Sequence, residues 1–243
     1  MKKLGIIGGL GPMATAYFFH LIVEMTDAKT DQEHIEILIH NCPQIPDRTR
    51  YILGKSDENP LEMMISVGKQ LKSAGVDYIA MPCVTAHYFG DVLEREIGVS
   101  MIHAVEETAR YLQERKIQNV GIMATDATVQ MDIFGRCMSD YGIKCLYPEQ
   151  ENQEKVMHLI YDNVKAGMPI EQDLFDDVAK SLFDAGAQVI ILGCTELSMI
   201  KRANMVGAGI LDVTEVLAKS CVEQCGNLKK EYKELITKFP DRI

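Results

Sequence analysis

The chain has 243 residues, 47% of them hydrophobic, with 25 lysines and arginines against 35 aspartates and glutamates and a formal net charge of −10. That is enough apolar material for one large α/β domain or two small ones with proper cores, and the acidic balance, with no basic run or basic aromatic stripe, sets aside nucleic acid and anionic membrane as partners. No apolar stretch is long enough to span a bilayer, and seven cysteines, an odd number in a chain with an ordinary core, argue against a secreted disulfide framework and for reduced thiols in a cytoplasmic protein.

Residues 1–12 carry two lysines and an apolar patch, as a secretion signal does. Glycines interrupt the patch and no small-residue cleavage site follows, so it reads as a first strand at 4–7. The periodicity then predicts a helix at 14–26, a strand at 35–39, a helix at 61–74, a strand at 78–81, a weaker strand at 100–102 and a helix at 105–115. A strand at 120–123, a helix at 128–141, a weaker strand at 144–146 and helices at 153–166 and 173–185 follow. The last elements are a strand at 189–192, a weaker one at 209–211 and an amphipathic stretch at 213–235. Alternating strands and helices with short loops predict an α/β fold of mainly parallel sheet flanked by helices.

The order of features repeats once. KLGIIGGLGP (3–12) is matched by NVGIMATDAT (119–128), and AGVDYIAMPCVT (74–85) by AGAQVIILGCTE (185–196), at nearly constant offset. This predicts two similar α/β lobes related by a pseudo-twofold, with the ligand between them where strand ends converge. The expected first lobe is 1–98 plus 209–243, the tail crossing back to it. The expected second lobe is 99–208.

In both halves a cysteine, Cys83 or Cys194, ends an apolar run and precedes a helix start containing threonine. Backbone N–H groups and the helix dipole can lower a thiol pKa there. Two matched thiols facing one cleft suit removal of a proton from one face of a carbon and delivery to the other, which is racemisation. Cys137, Cys145, Cys221 and Cys225 read as small buried hydrophobes. No metal site is expected, since the CxxxC at 221–225 has no partner pair.

Two other motifs carry competing readings. GGLGPMA (8–14) fits the GxGxxA form of a dinucleotide fingerprint, but Pro12 removes an N–H and the second strand ends in His40-Asn41 rather than an acid, which argues against NAD. His87, four residues after Cys83, could make a Cys–His hydrolase pair. Cys194 would then be superfluous, and a supporting or helix-surface role suits His87 better.

GGLGPMAT (8–15), NCPQIPDRT (41–49), PCVTAH (82–87), the lysine in IYDNVKAG (160–167) and GCTEL (193–197) together carry a family pattern. On them the chain resembles the aspartate/glutamate racemase superfamily, and within it the cofactor-independent aspartate racemases. The resemblance implies a two-lobed fold, a homodimer, no pyridoxal phosphate or other cofactor, catalysis by Cys83 and Cys194, and a small acidic amino acid as substrate, aspartate before glutamate. It implies that Arg48 and Lys165 hold the side-chain carboxylate, a task suited to a guanidinium fork and a point charge. Thr85, Thr128 and Thr195 would receive the α-carboxylate, and Gly9 and Gly11 would let the first loop pass close to the substrate. Glu196 would either orient the substrate amino group or cap its own helix.

The sequence departs from that pattern at Val84, where such racemases carry asparagine, and at Ala127, Met131 and Asp132 in ATDATVQMD, with Asp126 adding a charge. Those changes touch groups expected around the α-carboxylate and leave both thiols in place. They motivate two alternatives, a related isomerase or decarboxylase acting on a diacid, and a non-catalytic protein that binds acidic metabolites.

Overall fold

A parallel strand pair needs a crossover, usually a helix, and a strand covered on both faces reads as a near-continuous apolar run. The chain meets both conditions twice. The computed structural model describes residues 2–203 and 206–238. The fold divides into two compact units, Met1–Glu107 with Thr214–Glu234 and Thr108–Val213 with Leu235–Ile243.

The first unit runs β1 (Leu4–Gly8), α1 (Pro12–Met25), β2 (Ile37–Asn41), α2 (Arg48–Ile52), α3 (Leu61–Ser73), β3 (Tyr78–Ala80), a 3₁₀ segment (Val84–Phe89), α4 (Gly90–Ile97), β4 (Ser100–Ile102) and the start of α5 (Ala104–Glu114). Its sheet has the order β2-β1-β3-β4. All pairs are parallel, with Leu4 opposite both Ile37 and Tyr78. Every residue of the inner strand β1 is buried. Met64, Val67 and Leu71 of α3 join Ile7 and Ile79 in one core. The second strand sits two residues later than its apolar run predicts. Ile35 is buried against Gly226, where an added Cβ would lie 3.0 Å from its side chain.

The second unit runs β5 (Asn119–Met123), α6 (Asp126–Gln130), α7 (Ile133–Asp140), β6 (Lys144–Leu146), α8 (Gln150–His158), a π-helical segment (Leu159–Lys165), α9 (Gln172–Asp184), β7 (Val189–Leu192), α10 (Thr195–Arg202) and β8 (Ile210–Asp212). Its sheet is again parallel, in the order β6-β5-β7-β8, so the strand order of the first unit recurs. Phe175, Val178 and Leu182 of α9 pack with Ile190 and Leu192. The chain then enters α11 (Val213–Cys225), which from Thr214 on belongs to the first unit, where Ser220 donates to Glu107 and Leu228 bridges to Thr26. Strand pairing sets where the units meet in the sequence: β4 hydrogen-bonds to β3, and β8 to β7.

Three helices differ from their periodic prediction. The 128–141 segment breaks at Asp132, which takes the left-handed conformation with φ 50°. Tyr147 holds the break, its hydroxyl donating to Asp132 Oδ1 at 2.6 Å and accepting from the Gly135 N–H at 3.2 Å. The 153–166 helix starts early, at Gln150, and ends as a π-helical turn. The last amphipathic stretch stops at Cys225, before Gly226.

Candidate active site

The candidates of the first unit gather on the C-terminal ends of β1, β2 and β3. After β1 the chain turns through Gly8 to Gly11 into α1, whose first residue is Pro12, a position where a missing N–H costs nothing. Gly9 has φ 91°, and a Cβ there would lie 2.4 Å from the Cys42 carbonyl carbon, so this glycine is required by the neighbouring backbone. Gly11 is different. Its φ is −107° and a Cβ would meet nothing within 4 Å. Thr15 ties the turn, accepting from the Gly9 N–H and donating to the Gly11 carbonyl, both at 2.9 Å.

Arg48 opens α2, which Asp47 caps by accepting the Arg50 N–H at 2.9 Å. Its guanidinium lies across the same loop. Nη1 donates to the carbonyls of Ile45 and Pro46 at 3.2 and 2.9 Å, and Nη2 to that of Leu10 at 3.0 Å. Nε is buried without a hydrogen-bond partner. Arg48 therefore ties the β1 and β2 loops together, a task its family role does not include.

Cys83 follows β3 by way of Met81 and Pro82 and stands in extended conformation immediately before the 3₁₀ segment. It is half-buried, while Val84 and Thr85 behind it are buried. Its N–H returns to the Met81 carbonyl at 2.8 Å, making a tight turn around Pro82. His87 Nε2 reaches the same carbonyl at 3.2 Å. Burial, with the His103 ring edge-on at a centroid distance of 5.9 Å adding its charge, pushes the His87 pKa down to about 4.

In the second unit the site is tighter. Cys194 follows β7 by way of Gly193 and occupies the N-cap position of α10. Gly193 before it allows close packing, since a Cβ there would lie 2.8 Å from the Phe134 ring. Cys194 Sγ donates to Glu196 Oε2 at 2.8 Å, and Thr195 Oγ1 donates to the same oxygen at 3.2 Å. The other Glu196 oxygen lies 3.9 Å from Lys165 Nζ, which stands 4.1 Å over the Tyr161 ring. Lys165 and Tyr161 belong to the π-helical segment, a local widening that often marks functional positions.

This arrangement corrects one expectation. A helix start was expected to lower the thiol pKa, but at Cys194 burial first, then the Glu196 charge and its hydrogen bond, raise it well above the ordinary value. Lys165 and a backbone N–H oppose the rise without overcoming it. Both the burial and the Glu196 carboxylate favour the protonated thiol over the thiolate at Cys194.

Thr128 is fully buried on α6, its hydroxyl 3.1 Å from that of Thr125. Asp126 is held by Gln153, which donates to Asp126 Oδ1 at 2.9 Å and to the Ala124 carbonyl at 3.0 Å. Thus Cys194, Thr195, Glu196 and Lys165 form one contact chain, while Thr128 joins Thr125. In the first unit Gly9, Gly11 and Arg48 share a loop, and α2 packs on the segment that follows Cys83, with Tyr51 against Phe89. Sequence reasoning missed Tyr161, Gln153 and Thr15. The i, i+4 spacing of Tyr161 and Lys165 was the one available signal among them.

All seven cysteines are free thiols. Among the described residues no group of three or more His, Cys, Asp or Glu side chains is placed to hold a metal ion, and no helix is long and apolar enough to cross a membrane.

Comparison with known proteins adds the family context. Residues 7–221 match the family model described as Asp/Glu/Hydantoin racemase. The chain is 26% identical over 229 residues to the broad specificity amino-acid racemase RacX of Bacillus subtilis (strain 168), a match covering 90% of this chain and 96% of that protein. Its structure is similar to that of Picrophilus torridus aspartate racemase, with TM-score 0.80, 30% sequence identity and coverage of 96% and 98% of the two chains. In fold it is also similar to an aspartate racemase homologue from Pyrococcus horikoshii OT3, with TM-score 0.76, 24% identity and coverage of 92% and 99%.

Proposed function

The chain belongs to the Asp/Glu/hydantoin racemase family, and from that membership we propose that it racemises an acidic amino acid, aspartate before glutamate, without a cofactor, by proton transfer between Cys83 and Cys194. The observation that carries this reading is the hydrogen bond from Cys194 Sγ to Glu196 Oε2, which keeps one thiol loaded with a transferable proton.

In the forward direction Cys83, as thiolate, takes the α-proton. The C–H electron pair stays on the carbon and spreads into the α-carboxylate, and Cys194 delivers its S–H proton to the opposite face. Cys83 is then a thiol and Cys194 a thiolate, and the reverse reaction exchanges the roles. Negative charge on the α-carboxylate grows as the proton leaves, so donors from Thr85, Thr128, Thr195 and nearby backbone N–H groups lower the barrier most if they are fixed beforehand. Arg48 and Lys165 would attract the distal carboxylate. Glu196 accepts a hydrogen bond from the Cys194 thiol and favours its protonated state.

A second reading of the substrate is favoured by Arg48. Its Nη atoms are already engaged by three carbonyls, which leaves less of the fork for a distal carboxylate and suits a broader range of amino acids. The test for both is loss of optical rotation with L- and D-aspartate, glutamate, alanine and asparagine. Aspartate exceeding alanine by tenfold or more in kcat/KM, roughly one charged hydrogen bond, supports the acidic reading. Equal rates support the broad one, and no racemisation of any of them overturns the function.

A further inference from the structure

The turn that presents Cys83 contains Pro82, which has no N–H to fix it. The geometry closes the turn another way. The Met81 carbonyl accepts two hydrogen bonds, from the Cys83 N–H at 2.8 Å and from His87 Nε2 at 3.2 Å, using both of its lone-pair directions. A carbonyl only accepts, so Nε2 must carry the proton, and in the neutral ring Nδ1 is then a bare lone pair. Nδ1 is buried without a partner, so a second proton there would be buried without an acceptor.

The surroundings fix that ring. His103 meets it edge-on, and His103 Nε2 is 3.2 Å from Glu94 Oε2, while Glu94 Oε1 accepts the Met101 N–H at 3.0 Å. Glu94 lies on α4 and Met101 on β4, so His87 is braced by the elements that follow it. Gly90 supplies the room, since a Cβ there would lie 3.2 Å from the His103 ring.

We propose that His87 is a positioning residue for Cys83: as a neutral ring it clamps the Met81 carbonyl and so fixes the turn from which the thiol reaches its substrate. This rests on the reading of Cys83 as a reacting thiol. It assigns His87 no proton transfer of its own, which separates it from a hydrolase-type Cys–His pair.

The test compares His87→Leu, which removes the donor, with His87→Gln, whose amide nitrogen can occupy the Nε2 position. Two readouts are taken, steady-state kinetics and the iodoacetamide labelling rate of Cys83, followed on its peptide by mass spectrometry. His87→Leu is expected to lower kcat by about ten- to hundredfold, as a misplaced reacting group does, with KM within about threefold. It is also expected to raise the Cys83 labelling rate by about fivefold, the effect of losing one net hydrogen bond from the turn. His87→Gln should restore both to within about threefold of wild type. Labelling does not depend on the enzyme being a racemase, so an inactive wild-type protein would sink the function and still leave this clamp open to test. If His87→Leu fails to fold, nitrogen chemical shifts of His87 in the wild type decide: protonated Nε2 with bare Nδ1 supports the clamp, the opposite tautomer overturns it. Wild-type kinetics and labelling in His87→Leu, or no rescue by His87→Gln, also overturn it.

Discussion

Cys194 Sγ stands 2.8 Å from Glu196 Oε2 and donates its proton to it, across a single intervening residue at the start of α10. Burial disfavours the thiolate most, and a carboxylate so close adds to this by its charge and by its hydrogen bond. The consequence is that the protonated form of this thiol is favoured over the thiolate.

Glu196→Gln keeps an acceptor oxygen and removes the charge. The Cys194 thiol pKa is expected to fall, because two of the causes that raise it come from Glu196. Iodoacetamide labelling of the Cys194 peptide across pH 6–10 measures this. At each pH in that range labelling should be faster in the variant than in the wild type, while an unchanged or slower rate contradicts the assignment.

His87 gives a pH prediction of known sign. Its pKa is lowered from 6.5 to about 4 in the folded state, so the unfolded chain binds the proton first as pH falls. The stability is fully present above 6.5 and is lost as pH falls to about 4, by on the order of 3 kcal/mol at most. Urea melts of wild type and His87→Gln at pH 7 and 4.5 should show a shallower acid loss in the variant. Parallel losses contradict this.

The two loop glycines separate packing from function. Gly9→Ala should destabilise by more than about 2 kcal/mol, because a positive φ and a backbone collision coincide. Gly11→Ala should change stability by no more than about 0.5 kcal/mol, since its Cβ meets open space. If substrate approaches that loop, Gly11→Ala nonetheless loses kcat/KM. Full activity in Gly11→Ala removes Gly11 from the substrate site.

Arg48→Lys tests both the loop tie and the charge. One ammonium cannot reproduce a planar fork reaching three carbonyls, so a loss of about 1–3 kcal/mol in stability is expected from urea melts. If Arg48 also holds the distal carboxylate, kcat/KM falls more for aspartate than for alanine. A uniform fall would restrict Arg48 to the loop tie.

The strands were legible because inner parallel strands are apolar throughout, as in the fully buried β1 and β7. The place of Cys83 and Cys194 just after a strand was legible for the same reason, since each follows such a run. What escaped was tertiary. The break at Asp132 depends on Tyr147, fifteen residues away, and nothing in the local 128–141 pattern announces it. The raised pKa of Cys194 also escaped, because the helix start is local while burial and the Glu196 rotamer are not. For Arg48 the resemblance implied a carboxylate-holding role, and its bond to the Leu10 carbonyl, 38 residues away, appears only when the loops are brought together.

The most direct test of proton exchange between two thiols is a short incubation of single enantiomers of aspartate in heavy water, with wild type, Cys83→Ser and Cys194→Ser, read by chiral separation and mass spectrometry. With the wild type, deuterium should appear at Cα of the product enantiomer while the remaining substrate stays unlabelled. Both serine variants should fold normally and lose racemisation by about 10²–10⁴-fold, the usual size of an acid–base contribution. Undiminished turnover in either variant, or label entering the substrate enantiomer as fast as the product, would contradict the two-thiol mechanism.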